Sequence, residues 1–448
     1  MKPVTYQSSE FGFSRKNISR AALDVVDGLH RAGYDSYLVG GCVRDLLLGK
    51  SPKDYDVTTD ATPEQVRELF DRARIIGRRF RIVHVRFRRE VIEVATYRAD
   101  PNRAKKKGWF SWSKKPKNSD GRILDDNVYG DIDDDAVRRD FTVNALYYDP
   151  SNEQVLDFLG GVNDVRQGRL KMIGKPAERF AEDPVRMLRV IRFKAKLDLQ
   201  PEDNLNNAIK KNCALLGQVP AARLFDEVLK LFHHAHGVRS WQELCQSGLA
   251  PYLFSQTMEV LQHEDGERWQ QLIISALENT DRRISKGKPV IPAFLYAVLL
   301  WRPYCLRYET VLGGRANHQE AMQQAGDQVF AAQTLQVAIP RRVSAPAIEV
   351  WQMQNGLERR RPRSIMPIIS NRRFRAAYDF LILRSKIGEV EPSLVEWWTR
   401  IQDVDEAGQR QMIGELNNTG PGKPRRKRSP RKRKSRSGSE TGHDVKDK

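Results

Sequence analysis

Leu38-Val39-Gly40-Gly41-Cys42-Val43-Arg44-Asp45-Leu46-Leu47-Leu48-Gly49, closely followed by Asp54-Tyr55-Asp56, is the stretch on which the reading of this chain turns. Tyr37-Leu38-Val39 predicts a short strand, the glycine pair a turn, and residues 43–48 a short helix stopped by Gly49. Residues 54–58 read as a second strand. Residues i and i+2 of a strand share a face, so Asp54 and Asp56 would stand side by side. Two adjacent carboxylates repel; a divalent cation relieves them, and hard carboxylate oxygens suit Mg²⁺, which also bridges phosphate oxygens. A turn without side chains at Gly40-Gly41 lets backbone N–H groups approach a phosphate, and Arg44 adds positive charge. An isolated Asp-x-Asp pair is commonly a solvated turn. With the glycine turn and the strand context it points to phosphoryl or nucleotidyl transfer.

Outward from this stretch, residues 1–18 read as unstructured, and Ser19 opens an amphipathic helix (Ala22, Val25, Val26, Leu29) closed by Gly33. Thr62-Pro63-Glu64-Gln65 is a capping box that starts a helix running to about residue 72, followed by strands at 81–87 and 91–97. The first 150 residues thus predict a mixed α/β unit. Beyond about residue 170 helical periodicity dominates, as at 184–196, 222–232 and 374–385, and order is expected to end near 415–420. No repeat of 20 to 50 residues is present, which argues against a solenoid.

The chain has 448 residues, with 76 Lys and Arg against 57 Asp and Glu, a formal charge of +19. Hydrophobic residues make up 40%, enough for a real core, so wholesale disorder is excluded. No apolar run approaches the roughly 18 residues of a membrane span, and the opening residues lack the apolar centre of a secretion signal, so a cytoplasmic location is expected. Cys42, Cys213, Cys245 and Cys305 form no CxxC pair and read as reduced thiols. Residues 421–448 carry twelve basic against three acidic residues, about half of the net charge. Their core, including Arg425, Arg426, Arg428, Arg431 and Arg433, should be disordered and attract a polyanion, nucleic acid above all. Residues 105–117 interleave lysines with Trp109, Phe110 and Trp112 and read as a mobile insertion that could stack on bases. Arg359-Arg360-Arg361-Pro362-Arg363 suggests a further RNA-facing patch. His233-His234-Ala235-His236 lacks the carboxylate or cysteine that a zinc site needs, and Trp397-Trp398 reads as core or a domain contact.

Gly40-Gly41-Cys42-Val43-Arg44-Asp45, Asp54-Tyr55-Asp56, Arg138-Arg139-Asp140-Phe141-Thr142-Val143-Asn144-Ala145 and Glu182-Asp183-Pro184-Val185-Arg186-Met187-Leu188-Arg189 occur in one order, and together they resemble the class II nucleotidyltransferases of the polymerase β superfamily, bacterial poly(A) polymerases and CCA-adding enzymes. Arg223-Leu224-Phe225-Asp226-Glu227 is similar to the family's later helical motif. The resemblance spans most of residues 19–235 and loosens beyond about 240. It implies an α+β fold: a polymerase β-type head, a small mixed β-sheet with helices, then a mostly helical neck, body and C-terminal region and a disordered basic tail. The expected division is a disordered 1–18, a catalytic head at 19–150, a neck with a nucleotide-reading helix at 151–235, a helical RNA-binding body and C-terminal domain at 236–415, and a basic tail at 416–448.

The activity implied is template-independent addition of nucleotides to an RNA 3′ end, with Asp54 and Asp56 holding two Mg²⁺ ions and ATP as substrate. Gly40, Gly41, Arg44, Arg139, Asn144, Asp183, Arg186 and Arg189 are the implied nucleotide-binding residues, Asp183 and Arg186 contacting the base edge. For a third active-site carboxylate there are two candidates: Asp140, in the Arg-Arg-Asp motif, and Glu93, on a predicted strand; Asp140 is the expected one. Asp183 and Pro184 predict the start of a helix with Arg186, Arg189 and Arg192 along one face, opposite Leu188, Ile191 and Ala195.

Residues 75–85, Ile75-Ile76-Gly77-Arg78-Arg79-Phe80-Arg81-Ile82-Val83-His84-Val85, resemble the signature that separates bacterial poly(A) polymerases from CCA-adding relatives. Arg78, Arg79 and Arg81 would grip RNA backbone, and the basic tail agrees with an enzyme that acts on many RNAs. The expectation is therefore polyadenylation promoting RNA decay in bacteria, on mRNA fragments and small RNAs, by a monomer with RNA-decay proteins as further partners; a CCA-adding enzyme is the alternative.

Overall fold

A computed structural model of the chain describes residues 1–77, 81–88, 90–99, 128–313 and 317–418. The head forms around strands β1 (Val4–Gln7), β2 (Ser36–Val39), β3 (Asp56–Thr59), β4 (Ala73–Ile76), β5 (Ile82–Phe87), β6 (Glu90–Thr96), β7 (Leu146–Asp149) and β8 (Gln154–Asp157). They pair in the order β1-β8-β7-β2-β3-β6-β5-β4. β3 and β6 run parallel, and the other pairings are antiparallel. The parallel pair sets Asp56 opposite Glu93, and the antiparallel pair beyond it sets Glu93 opposite His84.

Local sequence explains the elements around this sheet. α1 (Arg20–Arg31) starts where the Ser19 hydroxyl accepts the Ala22 N–H at 3.1 Å, and buries Ala22, Val25, Val26 and Leu29. Gly33, at φ +85°, ends its course. α2 (Gly41–Leu47) follows the glycine turn. α3 (Pro63–Leu69) carries the expected capping box, the Thr62 and Gln65 side chains satisfying each other's backbone N–H groups. It stops at Leu69 rather than 72 because residues 73–76 leave the helix to pair with β5.

Four expectations need correction. Residues 1–18 are ordered: β1 pairs with β8, Ser8 N–H donates to Glu153 O at 2.9 Å, and Phe13 is buried with its ring 5.2 Å from Tyr148. The head does not end at 150, because β7 and β8 form a hairpin across residues 150–153 and β8 is interior to the sheet. β3 begins at Asp56, so Asp54 lies in the bend before it. The neighbouring chain leaves the sheet at Gly40 to enter α2, which removes the partner that would have extended β3 backwards. Asp183 does not cap the helix that follows it in the expected way: Val185–Leu197 starts after Pro184, although Asp183 Oδ1 still accepts the Val185 N–H at 3.2 Å.

The remainder is helical, as expected. Helices Val185–Leu197, Ala221–Phe232, Gly266–Ser285, Arg341–Arg359 and Phe374–Lys386 share one apolar core that extends from Phe13 to Met412. Trp398 is fully buried and donates to Leu357 O at 2.9 Å. Among the described residues no helix is long and apolar enough to cross a membrane. Residues 105–117, Arg78, Arg79 and the tail arginines Arg425, Arg426, Arg428, Arg431 and Arg433 lie outside the described residues.

Because Phe13 fills core against Tyr148, Phe13→Ala should lower stability by about 3 kcal/mol or more. The readout is the midpoint of denaturant unfolding; an unchanged midpoint would mean that the first eighteen residues are dispensable to the sheet.

Candidate active site

Gly40 adopts φ +78° and ψ −124°, a conformation only glycine adopts without strain, and its N–H donates to Leu146 O at 3.1 Å. The turn thus reverses the chain from β2 into α2 while leaving one side bare. Arg44, one turn on, is 3% exposed. Its Nη1 donates to Asn144 Oδ1 at 2.6 Å, and Nε and Nη2 to Asp45 Oδ1 at 3.0 and 2.7 Å. Its guanidinium is therefore committed within the protein and holds Asn144 in place. Arg139 packs beside the turn, its Nη1 3.5 Å from where a Cβ on Gly40 would sit. Asp135 and the Tyr147 hydroxyl fix it, at 2.7 and 3.1 Å.

The carboxylates gather on the β3 and β6 edges. Asp56, the first residue of β3, keeps an exposed surface while the rest of the strand is buried. Burial first, then the charge of Glu93 and that of Asp54, push its carboxyl up to about 6, against the pull of Arg139. Glu93 is half exposed and lies 3.3 Å from His84 Nε2. Asp140 has different surroundings. Its Oδ1 accepts the Phe141 N–H at 2.9 Å and Asn144 Nδ2 at 3.2 Å, and its Oδ2 accepts Arg189 Nε at 2.5 Å. Burial acts to raise the Asp140 carboxyl, but the Arg189 charge and the hydrogen bonds from Asn144 and Arg189 outweigh it and hold it below the ordinary range. Both Asp140 oxygens are thus taken by protein donors, whereas Glu93 stands in register with Asp56 on the neighbouring strand.

The Arg stripe of helix Val185–Leu197 is paired rather than solvated. Arg189 goes to Asp140, Arg186 Nη1 to Glu182 at 2.8 Å and to Arg179 O at 2.8 Å, and Arg192 to Glu227 at 3.7 Å. Asp183 Oδ2 accepts Arg223 Nη2 at 2.7 Å. Helix Ala221–Phe232 thereby supplies partners for the helix beside it, which gives the Arg223–Glu227 motif its physical meaning. Phe193 was not foreseen: the guanidinium carbons of Arg44, Arg189 and Arg192 stand 5.4, 5.7 and 5.3 Å from its ring centre. Arg81, expected on RNA, forms an ion pair with Glu64. A separate acidic group, Asp131, Asp133 and Asp134, brings ligand oxygens within 4.8 Å of one another among the described residues and could hold a cation.

The family model described as the poly A polymerase head domain matches residues 36–171. Those described as a probable RNA and SrmB-binding site of polymerase A and as a polymerase A arginine-rich C-terminus match 198–261 and 314–434. Poly(A) polymerase I of Haemophilus influenzae is 40% identical over 432 residues, 96% of this chain and 94% of that one. The chain belongs to the poly(A) polymerase family. A CC-adding tRNA nucleotidyltransferase of Halalkalibacterium halodurans is 33% identical but covers 53% of the chain and 55% of its own length. A Thermotoga maritima CCA-adding enzyme solved with tRNA superposes at a TM-score of 0.57 and 17% identity, covering 95% of this chain and 92% of that one, and so shares the fold.

Within this family member, Asp56 stores repulsion that its neutral form lacks. A carboxyl raised from 3.8 to about 6 contributes fully below pH ~4, and that contribution is lost as pH rises through about 6. Without divalent cations, Asp56→Asn should therefore melt above the parent at about pH 8, with the gain shrinking below about pH 6. An equal or lower melting temperature at about pH 8 would contradict the assignment. Phe193→Leu should raise KM for nucleotide several-fold by loosening three guanidinium groups at once, measured in steady-state kinetics.

Proposed function

We propose that the chain adds AMP from ATP to RNA 3′ ends without a template, releasing pyrophosphate. The observation that carries this reading is the juxtaposition of Asp54, Asp56 and Glu93 with the Gly40-Gly41 turn in a chain 40% identical, over nearly its whole length, to a poly(A) polymerase I. The CC-adding relative matches only about half of the chain, which favours polyadenylation over CCA addition.

Asp54, Asp56 and Glu93, with Asp56 pushed up to about 6 by burial and by the charges of the other two, are hard-oxygen groups suited to Mg²⁺ and would hold it. Bound there, two such ions would supply charge neutralisation for the triphosphate and acidify the RNA 3′-hydroxyl. The 3′-oxygen attacks the α-phosphorus, the bond to the β-phosphate breaks, and pyrophosphate leaves. The chain's own residues position the reactants. The bare face of the Gly40-Gly41 turn admits the triphosphate, with Arg139 beside it. Asn144, held by Arg44 and Asp140, supports the sugar side. Asp183 offers an acceptor and Arg186 a donor, the complement of adenine's N6 amino group and N1. Arg223 and Glu182 fix their directions. Asp140 acts as a positioning residue rather than a metal ligand. Arg78, Arg79 and the tail arginines add attraction for RNA backbone. The enzyme works as a cytoplasmic monomer on mRNA fragments and small RNAs, promotes their decay in bacteria, and has RNA-decay proteins as partners.

The test is extension of two labelled RNAs, an oligoadenylate and a tRNA ending before its CCA, with Mg²⁺ and each nucleoside triphosphate. Long ATP-dependent ladders on both are expected; addition that stops after C, C and A on the tRNA alone would establish the CCA-adding alternative. Asp54→Ala, Asp56→Ala and Glu93→Gln should each reduce kcat roughly a thousandfold or more while RNA binding stays nearly intact. Asp140→Asn should act mainly through nucleotide KM, and the opposite ranking of Glu93 and Asp140 would restore Asp140 as the third carboxylate. Deletion of residues 421–448 should weaken RNA binding and flatten its salt dependence, read by anisotropy titrations at several ionic strengths.

A further inference from the structure

Between helix Gly266–Ser285, residues 286–291 and helix Phe374–Lys386 lies a cleft of about 510 Å³, and none of its lining residues belongs to the site above. Its volume falls within the roughly 300–1,000 Å³ of clefts that hold small ligands. Arg282, Arg283, Arg372, Arg373 and Arg375 converge on it. Arg375 shares Asp379 at 2.8 Å, and Arg372 and Arg373 share Glu349 at 3.6 and 3.2 Å. Arg282 donates to Asn279 Oδ1 and Arg283 to Pro289 O, both at 3.1 Å. Among the described residues five guanidinium groups thus meet two carboxylates, and two of the five contact neutral groups alone.

The interior of the cleft has a different character. Phe294, Leu295 and Ile291 line it, Ile291 with 42% of its surface exposed. His233, which also lines it, has its imidazole pushed down to about 4 by burial, with the neighbouring His234 acting in the same direction, so near pH 7 the ring is neutral and offers one donor and one acceptor. An apolar floor with a neutral hydrogen-bonding group, rimmed by arginines that outnumber their carboxylate partners, suits a ligand with a flat polar-edged ring and an attached phosphate. A membrane surface would not enter a concave site of this size. Single-stranded RNA presents both parts at each residue, and sequence-tolerant binding of it rests on base stacking and backbone phosphate contacts.

We propose that this cleft is a second RNA-anchoring site that takes one nucleotide of the single-stranded stretch upstream of the growing 3′ end, its phosphate held by Arg282 and Arg375 and its base over Ile291 and Phe294. The inference rests on the reading of the chain as an RNA 3′-end polymerase and extends it to a site the chemistry does not use. The anchor would keep RNA attached while its 3′ end is repositioned after each addition.

The test uses the full-length enzyme and a fluorescent oligoadenylate of about twenty nucleotides. Arg282→Glu combined with Arg375→Glu should raise Kd about tenfold at low salt and make the salt dependence shallower by about 1.4, the slope of two single-strand phosphate contacts. kcat at saturating RNA and KM for ATP should stay within twofold of the parent. Arg282→Lys combined with Arg375→Lys should restore most of the affinity, and Ile291→Ser should raise Kd without changing the slope. If the reversed pair folds poorly, Arg282→Ala with Arg375→Ala carries the same test. Unchanged Kd and slope would overturn the proposal. So would loss of a free-ATP site in equilibrium dialysis with RNA binding unaltered, which would make the cleft a nucleotide site. Absence of ATP-dependent extension by the parent would refute the activity reading, while the binding titrations would still decide the cleft.

Discussion

The ion pair between Asp140 and Arg189 joins the two halves of the candidate site, and much of the surrounding arrangement hangs on it. Its Asp140 side is buried while Arg189 is partly exposed, so the desolvation of the carboxylate must be offset by further hydrogen bonds. Asp140 receives them from the Phe141 N–H and from Asn144, and Asn144 in turn is gripped by Arg44. The chain entering β7, the glycine turn and helix Val185–Leu197 are thereby locked in one register. Removing Arg189 would leave the Asp140 carboxylate without its charged partner. Phe193 adds a shared surface on which Arg44, Arg189 and Arg192 rest.

Around this rigid frame the carboxylates are held in opposition. The parallel pairing of β3 with β6 sets Asp56 against Glu93, and the bend at Asp54 brings a third negative charge near. Such a cluster destabilises the fold by itself, and it persists because the sheet fixes the strands regardless of what their exposed ends carry. Function and stability therefore pull in opposite directions at Asp56, a common feature of sites built to receive a cation or a charged reactant.

The helical region treats its charge differently. Along helix Val185–Leu197 each of the three arginines has a carboxylate partner. In the cleft beside helix Phe374–Lys386 arginines outnumber carboxylates, so positive potential is left for a ligand. How much positive charge is left for a ligand depends on this local balance, not on the total of +19.

What the sequence alone determined was local. The capping box at Thr62, the N-cap at Ser19, the positive-φ turn at Gly40 and the periodicity of the long helices are all set within a few residues, and the ordered motifs pointed to the family. Tertiary structure decided what depends on partners far away in the chain. β1 is a strand because β8, some 150 residues later, offers it an edge, and β4, β7 and β8 likewise exist through pairing rather than through pattern. The surroundings of Glu93 and Asp140 could not be read from motifs, since they depend on which strand lies beside β3 and which helix brings Arg189. Arg44, Asp183 and Arg186 were named from their motifs, yet their directions come from Asn144, Arg223 and Glu182. Backbone preference acts over a turn of helix, whereas sheet register and buried ion pairs are fixed only when distant segments meet.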